Sequence, residues 1–187
     1  AAVRVVIREK GFGDLVKVGQ ELVKEGFPAD DGHRKRAGEV LRRLDHVDER
    51  WRQIVGEYPG RMTPTLREAL LGDDPQLCAN ACRAAVWYRE YDLIPSLLAA
   101  LEDPLGPNSD VAGKVLAELT DLLCAELATP QEDQRRRDPE LVRNYVLGSL
   151  EASVKRYAKH RRREVVEVFV LLAGHDNITL KQILQDP

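Results

Sequence analysis

The sequence predicts an all-α fold, an α–α superhelix of about ten helices stacked as a helical-repeat solenoid. Three observations predict it. Period-2 alternation is almost absent from the 187 residues, whereas apolar residues recur at three- and four-residue steps, the mark of amphipathic helices. Aspartate or threonine stands directly before proline at Thr63-Pro64, Asp74-Pro75, Thr129-Pro130 and Asp138-Pro139. Each pairs an N-capping side chain with a residue whose missing N–H costs nothing in a first helical turn. Finally, the chain repeats itself: Asp74-Pro75-Gln76-Leu77 recurs as Asp138-Pro139-Glu140-Leu141, and LLAALEDP at 97–104 as LKQILQDP at 180–187. Pairs of amphipathic helices at intervals of roughly 30 to 35 residues are what a solenoid requires, because one pair cannot bury its apolar stripe without a neighbour.

The elements follow in order. The first helix is expected at 2–10, where VRVVI is the one strand-like stretch and is equally compatible with a buried helical turn; the second is expected at 14–25. The third, 33–57, carries Ala37, Leu41, Leu44, Val47, Trp51, Ile54 and Tyr58 as a narrow apolar seam, suited to packing against neighbouring helices. Helices at 64–71 and 75–90 start at Thr63-Pro64 and Asp74-Pro75, and Thr65 with Glu68 has capping-box spacing. A helix at 92–102 begins near the proline of LIPSLLAAL, and a longer one covers 109–128. Asp138-Pro139 opens a helix at 138–158, followed by 161–173 and by 179–185, where Thr179 and Gln182 repeat the capping-box spacing. One helical-repeat domain is expected over 1–187. Beginning at Ala1 and ending on the recurrent Asp-Pro pair, it reads as cut from a longer array.

DPQLCANACRAAVWYREYDLIPSLLAALEDP, residues 74–104, resembles a HEAT repeat, in which an Asp-led first helix is followed by a short turn and a second helix starting near a proline. DPELVRNYVLGSL, with Val142 and Arg143, resembles the first helix of the same family, and VRVVIREKGFGDLVKVGQELV resembles a degenerate copy. In the 74–104 unit Ala79 stands where that family often places a basic residue, and the long helix at 109–128 departs from a two-helix rhythm. The resemblance, to HEAT-like and armadillo-like arrays, implies an architecture more than an activity. It points to a noncatalytic scaffold whose partner is another protein.

No catalytic constellation accompanies the helices. There is no Gly-rich phosphate loop, nucleophile elbow or paired-His metal motif, so neither a cofactor nor a metal is expected. His33, His46, His160 and His175 are scattered beside charged residues, and no His-Glu dipeptide of the kind that holds iron in some HEAT-like enzymes occurs. That leaves a lyase-type HEAT enzyme as the weakest alternative. Cys78 and Cys82, four apart, and Cys124 read as packing residues. Trp51, Trp87, Tyr88 and Tyr91 could line a glycosylase-like groove, but Trp87 is expected in the interhelical core. Asn177-Ile178-Thr179 has the form of a glycosylation acceptor and reads better as the cap of the last helix. Apolar runs are too short to span a bilayer and no leading segment has signal-peptide character, so a cytoplasmic protein without a membrane partner is expected.

The charge distribution is the most informative functional signal. Residues 134–163 hold ten basic side chains against three acidic ones, a formal +7 within a chain of net −3. Arg135, Arg136, Arg137, Lys155, Arg156, Lys159, Arg162 and Arg163 are the candidate binding residues for an acidic partner or for phosphates. Nucleic-acid binding, including a DNA-glycosylase-like activity, is thus the alternative function. A solvated face, with arginines reaching the C-terminal ends of neighbouring helices, is the stronger expectation.

Overall fold

The computed structural model describes residues 41, 42, 44, 62–103, 106–129, 138–174 and 177–185. Among these residues the chain is all-helical and without a strand, with eight α-helices and one 3-10 turn from Thr63 onward. The helices expected at 2–10, 14–25 and 33–57 lie outside the described residues, apart from Leu41 and Arg42, which are helical, and Leu44. The chain divides into two compact units, Ala1–Glu90 and Tyr91–Pro187.

In the first unit α1 (Thr63–Leu71) and α2 (Pro75–Tyr88) pack as a hairpin. Leu66, Ala69 and Leu70 of α1 meet a core of small α2 residues, Cys78, Ala81, Cys82, Ala84 and Ala85, with Leu41 and Leu44 also buried. Asp74 caps α2 as expected: its carboxylate accepts from the Gln76 and Leu77 N–H groups. The Leu77 bond most of all, with help from Arg42, holds Asp74 below the usual carboxylate range against its desolvation. Asn80, fully buried, donates from Nδ2 to the Leu41 carbonyl at 2.7 Å. Cys78 and Cys82 are buried free thiols; their mutual hydrogen bond, reinforced by burial, pushes Cys82 far above the ordinary thiol range. Trp87 departs from expectation: it is 37% exposed rather than set in the core.

The second unit opens with the 3-10 turn Tyr91–Leu93, then α3 (Ile94–Glu102), α4 (Ser109–Ala128), α5 (Pro139–Val154), α6 (Tyr157–His160), α7 (Arg163–Ala173) and α8 (Ile178–Gln185). α3 packs on α4 and α5, α4 on α5 and α7, and α5 on α7. Leu97, Leu101, Leu116, Leu119, Val146, Leu150, Val165 and Phe169 form the dry interior. α3 and α4 approach closely at Gly113, where a Cβ would lie 3.4 Å from Leu101 Cδ1.

Several caps differ from expectation. Thr63 is already inside α1 and donates its hydroxyl to buried Glu90 at 2.8 Å. Thr65 is a buried helical residue, and no side chain caps α1. Thr129 ends α4, donating to the Ala125 carbonyl; at α8 the expected cap at Asn177 is present, Oδ1 accepting from the Leu180 N–H, but Thr179 lies inside the helix and donates to Glu151. The helix expected at 138–158 breaks at Lys155 and Arg156. To continue, it would need the Ser153 carbonyl for the Tyr157 N–H. That oxygen instead takes the Arg156 N–H at 2.8 Å and His160 Nε2 at 3.0 Å.

Candidate functional site

The basic segment is split by this break. Arg135, Arg136 and Arg137 lie outside the described residues. The other candidates, Lys155, Arg156, Lys159, Arg162 and Arg163, gather where α5 ends, α6 turns and α7 begins.

Arg156 anchors the junction. Its guanidinium forks onto Glu102, the last residue of α3, with Nε to Oε2 at 3.0 Å and Nη2 to Oε1 at 2.7 Å. A carboxylate at a helix C-terminus is disfavoured by the helix dipole, and a bidentate guanidinium offsets that directly. Buried Ser153 adds a third bond, Oγ to Oε1 at 2.5 Å. Burial works against ionising Glu102, but the bonds from Arg156 and Ser153 and the charge of Arg156 hold its carboxyl below the usual range. The pair joins residues 54 apart in sequence.

His160 fastens the turn that follows. Its Nδ1 accepts the Arg162 N–H at 3.0 Å, which assigns the ring proton to Nε2, donating to the Ser153 carbonyl. The Tyr157 ring stands edge-on to it, centroids 5.8 Å apart. Serine, histidine and glutamate thus meet without forming a nucleophile–base pair. The imidazole reaches the backbone oxygen of Ser153, while the hydroxyl proton is directed at a carboxylate already held by arginine.

The remaining cations fall into two groups. Lys155 pairs with Glu151 at 3.0 Å; Arg162 and Arg163 lie at the longer distances of 3.9 Å from Asp110 and 3.8 Å from Glu167. Arg143, upstream in α5, donates from Nε to the Leu172 carbonyl near the end of α7 at 2.9 Å, the helix-end contact expected for an arginine-rich junction. Glu151 is held below the ordinary range by the Thr179 hydroxyl first and Lys155 second. Lys159 and Arg161 are exposed and make no ion pair among the described residues. Arg161 has left-handed backbone, φ 54°.

Sequence reasoning did not single out Glu102, Ser153 or the position of His160. Glu102 stood in plain view in the LLAALEDP motif, but as a helix-end residue rather than as the partner of a cation in another helix. Among the described residues no group of three or more His, Cys, Asp or Glu side chains could hold a metal ion, and no helix is long and apolar enough to cross a membrane. No family model, curated protein or solved structure matches the chain.

Proposed function

We propose that the chain is a HEAT-like module of an α–α superhelix and serves as a noncatalytic scaffold for another protein. The observation that carries this reading is how the conspicuous cations are used. Arg156 is consumed by Glu102, Arg143 by a helix-end carbonyl and Lys155 by Glu151. The first two fasten one helix to another, and the third is held within the end of α5. Ser153, Glu102 and His160 are engaged in holding the junction of α3, α5 and α6, and large apolar side chains such as Leu141, Leu171 and Ile178 stand more than half exposed, open to contact with a protein partner.

Lys159 and Arg161 favour one second reading, nucleic-acid binding, since they are exposed cations on one turn. Fluorescence anisotropy with labelled duplex and single-stranded oligonucleotides separates the two. The scaffold reading expects nothing tighter than the about 10⁻⁴ to 10⁻⁶ M of nonspecific contacts at physiological salt. A submicromolar complex that weakens steeply with salt, and is lost in Lys155→Glu/Lys159→Glu/Arg161→Glu with Arg156 intact, would replace the scaffold with a nucleic-acid binder.

A further inference from the structure

α5 has two seams. Val142, Val146 and Leu150 face the interior of the second unit and are buried. A second line, Asp138, Leu141, Tyr145, Gly148, Ala152 and Lys155, runs along the helix at alternating three- and four-residue steps, and every member is exposed. Leu141 is 67% and Tyr145 49% exposed. At Gly148 a Cβ would meet nothing within 4 Å, so the line has an open recess. Three-four spacing is the geometry by which one helix lies along another.

The order of residues on this seam says what fits it. Reversed about its midpoint, between Tyr145 and Gly148, it matches itself by complement: Asp138 falls opposite Lys155, Leu141 opposite Ala152, and Tyr145 opposite Gly148. Acid meets base at the two ends, beside the contact each already makes in its own chain (Asp138 with the Glu140 N–H, Lys155 with Glu151), and each large side chain meets a small one at the two inner steps. A parallel copy would set Tyr145 on Tyr145 and leave Gly148 facing Gly148. An antiparallel copy seats each ring in the other's recess, so that one patch serves both partners, as a two-fold interface requires. We propose that α5 is the homodimerisation element of this chain, docking antiparallel on α5 of a second copy through this seam. This goes beyond the scaffold reading and does not depend on it.

A 16-residue helix is about 24 Å long and offers a contact at the small end of specific interfaces, so the dimer is expected to be weak, with a dissociation constant of about 10 to 500 μM. Sedimentation velocity on the 187-residue chain, over about 5 to 500 μM, should show a monomer–dimer equilibrium. Gly148→Gln fills the recess at a position with free space on its own chain and improves helix propensity. It should keep the thermal transition at least as high as the parent's while weakening dimerisation at least about tenfold. Orientation is read by mild oxidation of an equal mixture of Tyr145→Cys and Gly148→Cys chains. Antiparallel docking predicts a covalent dimer from the mixture in excess of either variant alone and of the parent, whose Cys124 is only partly exposed. A monomer throughout the range, a dimer indifferent to Gly148→Gln, or cross-linking by Tyr145→Cys alone as efficient as by the mixture would each overturn the proposal.

Discussion

Glu102 shows how a single side chain can decide what a basic segment is for. Its carboxylate takes three donors, two from Arg156 and one from Ser153, and its side chain is only 18% exposed. Bonds to a charged, largely buried acceptor are worth more than neutral ones, so Glu102→Gln should cost about 1 to 3 kcal/mol in a urea melt. The pH dependence has a definite sign. Because the folded state holds the Glu102 carboxyl below its ordinary value of 4.5, its contribution is complete above that value and is lost as pH falls through the lowered one. The difference in stability between parent and Glu102→Gln should therefore shrink as the pH drops below about 4.5; a difference that stays constant down to acid unfolding would mean that the carboxylate charge contributes nothing. The basic cluster itself was legible from the sequence, as charges crowding into 134–163. The pairing of Arg156 was not, because its partner lies 54 residues away in another helix and nothing in the local pattern distinguishes a solvated glutamate from one that awaits an arginine.

At the scale of the helix, Asp74, Asp138 and Asn177 cap helix heads, whereas Asp103, also before a proline, ends α3, and Asn108 heads α4 without a side-chain bond. Asp74, Asp138 and Asn177 each accept backbone N–H groups at the head of a helix. Thr63, Thr129 and Thr179 instead donate their protons, to Glu90, Ala125 O and Glu151. An ionised carboxylate can only accept, so at a helix head it has one use. A hydroxyl can also donate, and a nearby carboxylate or carbonyl captures it. The caps at Asp74 and Asp138 were thus readable from the sequence, whereas threonine positions depended on acceptors that only the folded chain brings near. The break at Lys155 and Arg156 was hidden for the same reason, since it depends on which donors reach the Ser153 carbonyl. If the aspartate logic is right, Asp138→Ala should lose about 0.5 to 2 kcal/mol, because the Glu140 N–H at 2.9 Å loses its acceptor. Equal urea midpoints for the two proteins would show that α5 does not rely on this cap.

At the scale of the molecule, the division between Glu90 and Tyr91 falls inside 74–104, the stretch over which one HEAT-like unit was expected. The physical reason lies in where the apolar faces go. α3, with Leu97, Leu98 and Leu101 buried, packs on α4 and α5, and Arg156 and Ser153 fasten its last residue to the end of α5. Within Tyr91–Pro187, α3, α4, α5 and α7 pack on one another and Phe169 is fully buried. If that core is closed within the unit, a helical segment of about 100 residues is large enough to fold by itself. Produced alone, it should be strongly helical by circular dichroism and unfold in a single urea transition whose m-value, which scales with the surface exposed, is about half that expected of the full chain. Glu102→Gln should shift that transition in the fragment by as much as in the parent, because every donor to Glu102 lies within Tyr91–Pro187. A fragment that melts without cooperativity, or that no longer responds to Glu102→Gln, would mean that the second unit takes its stability from residues before Tyr91, and that its core is not closed after all.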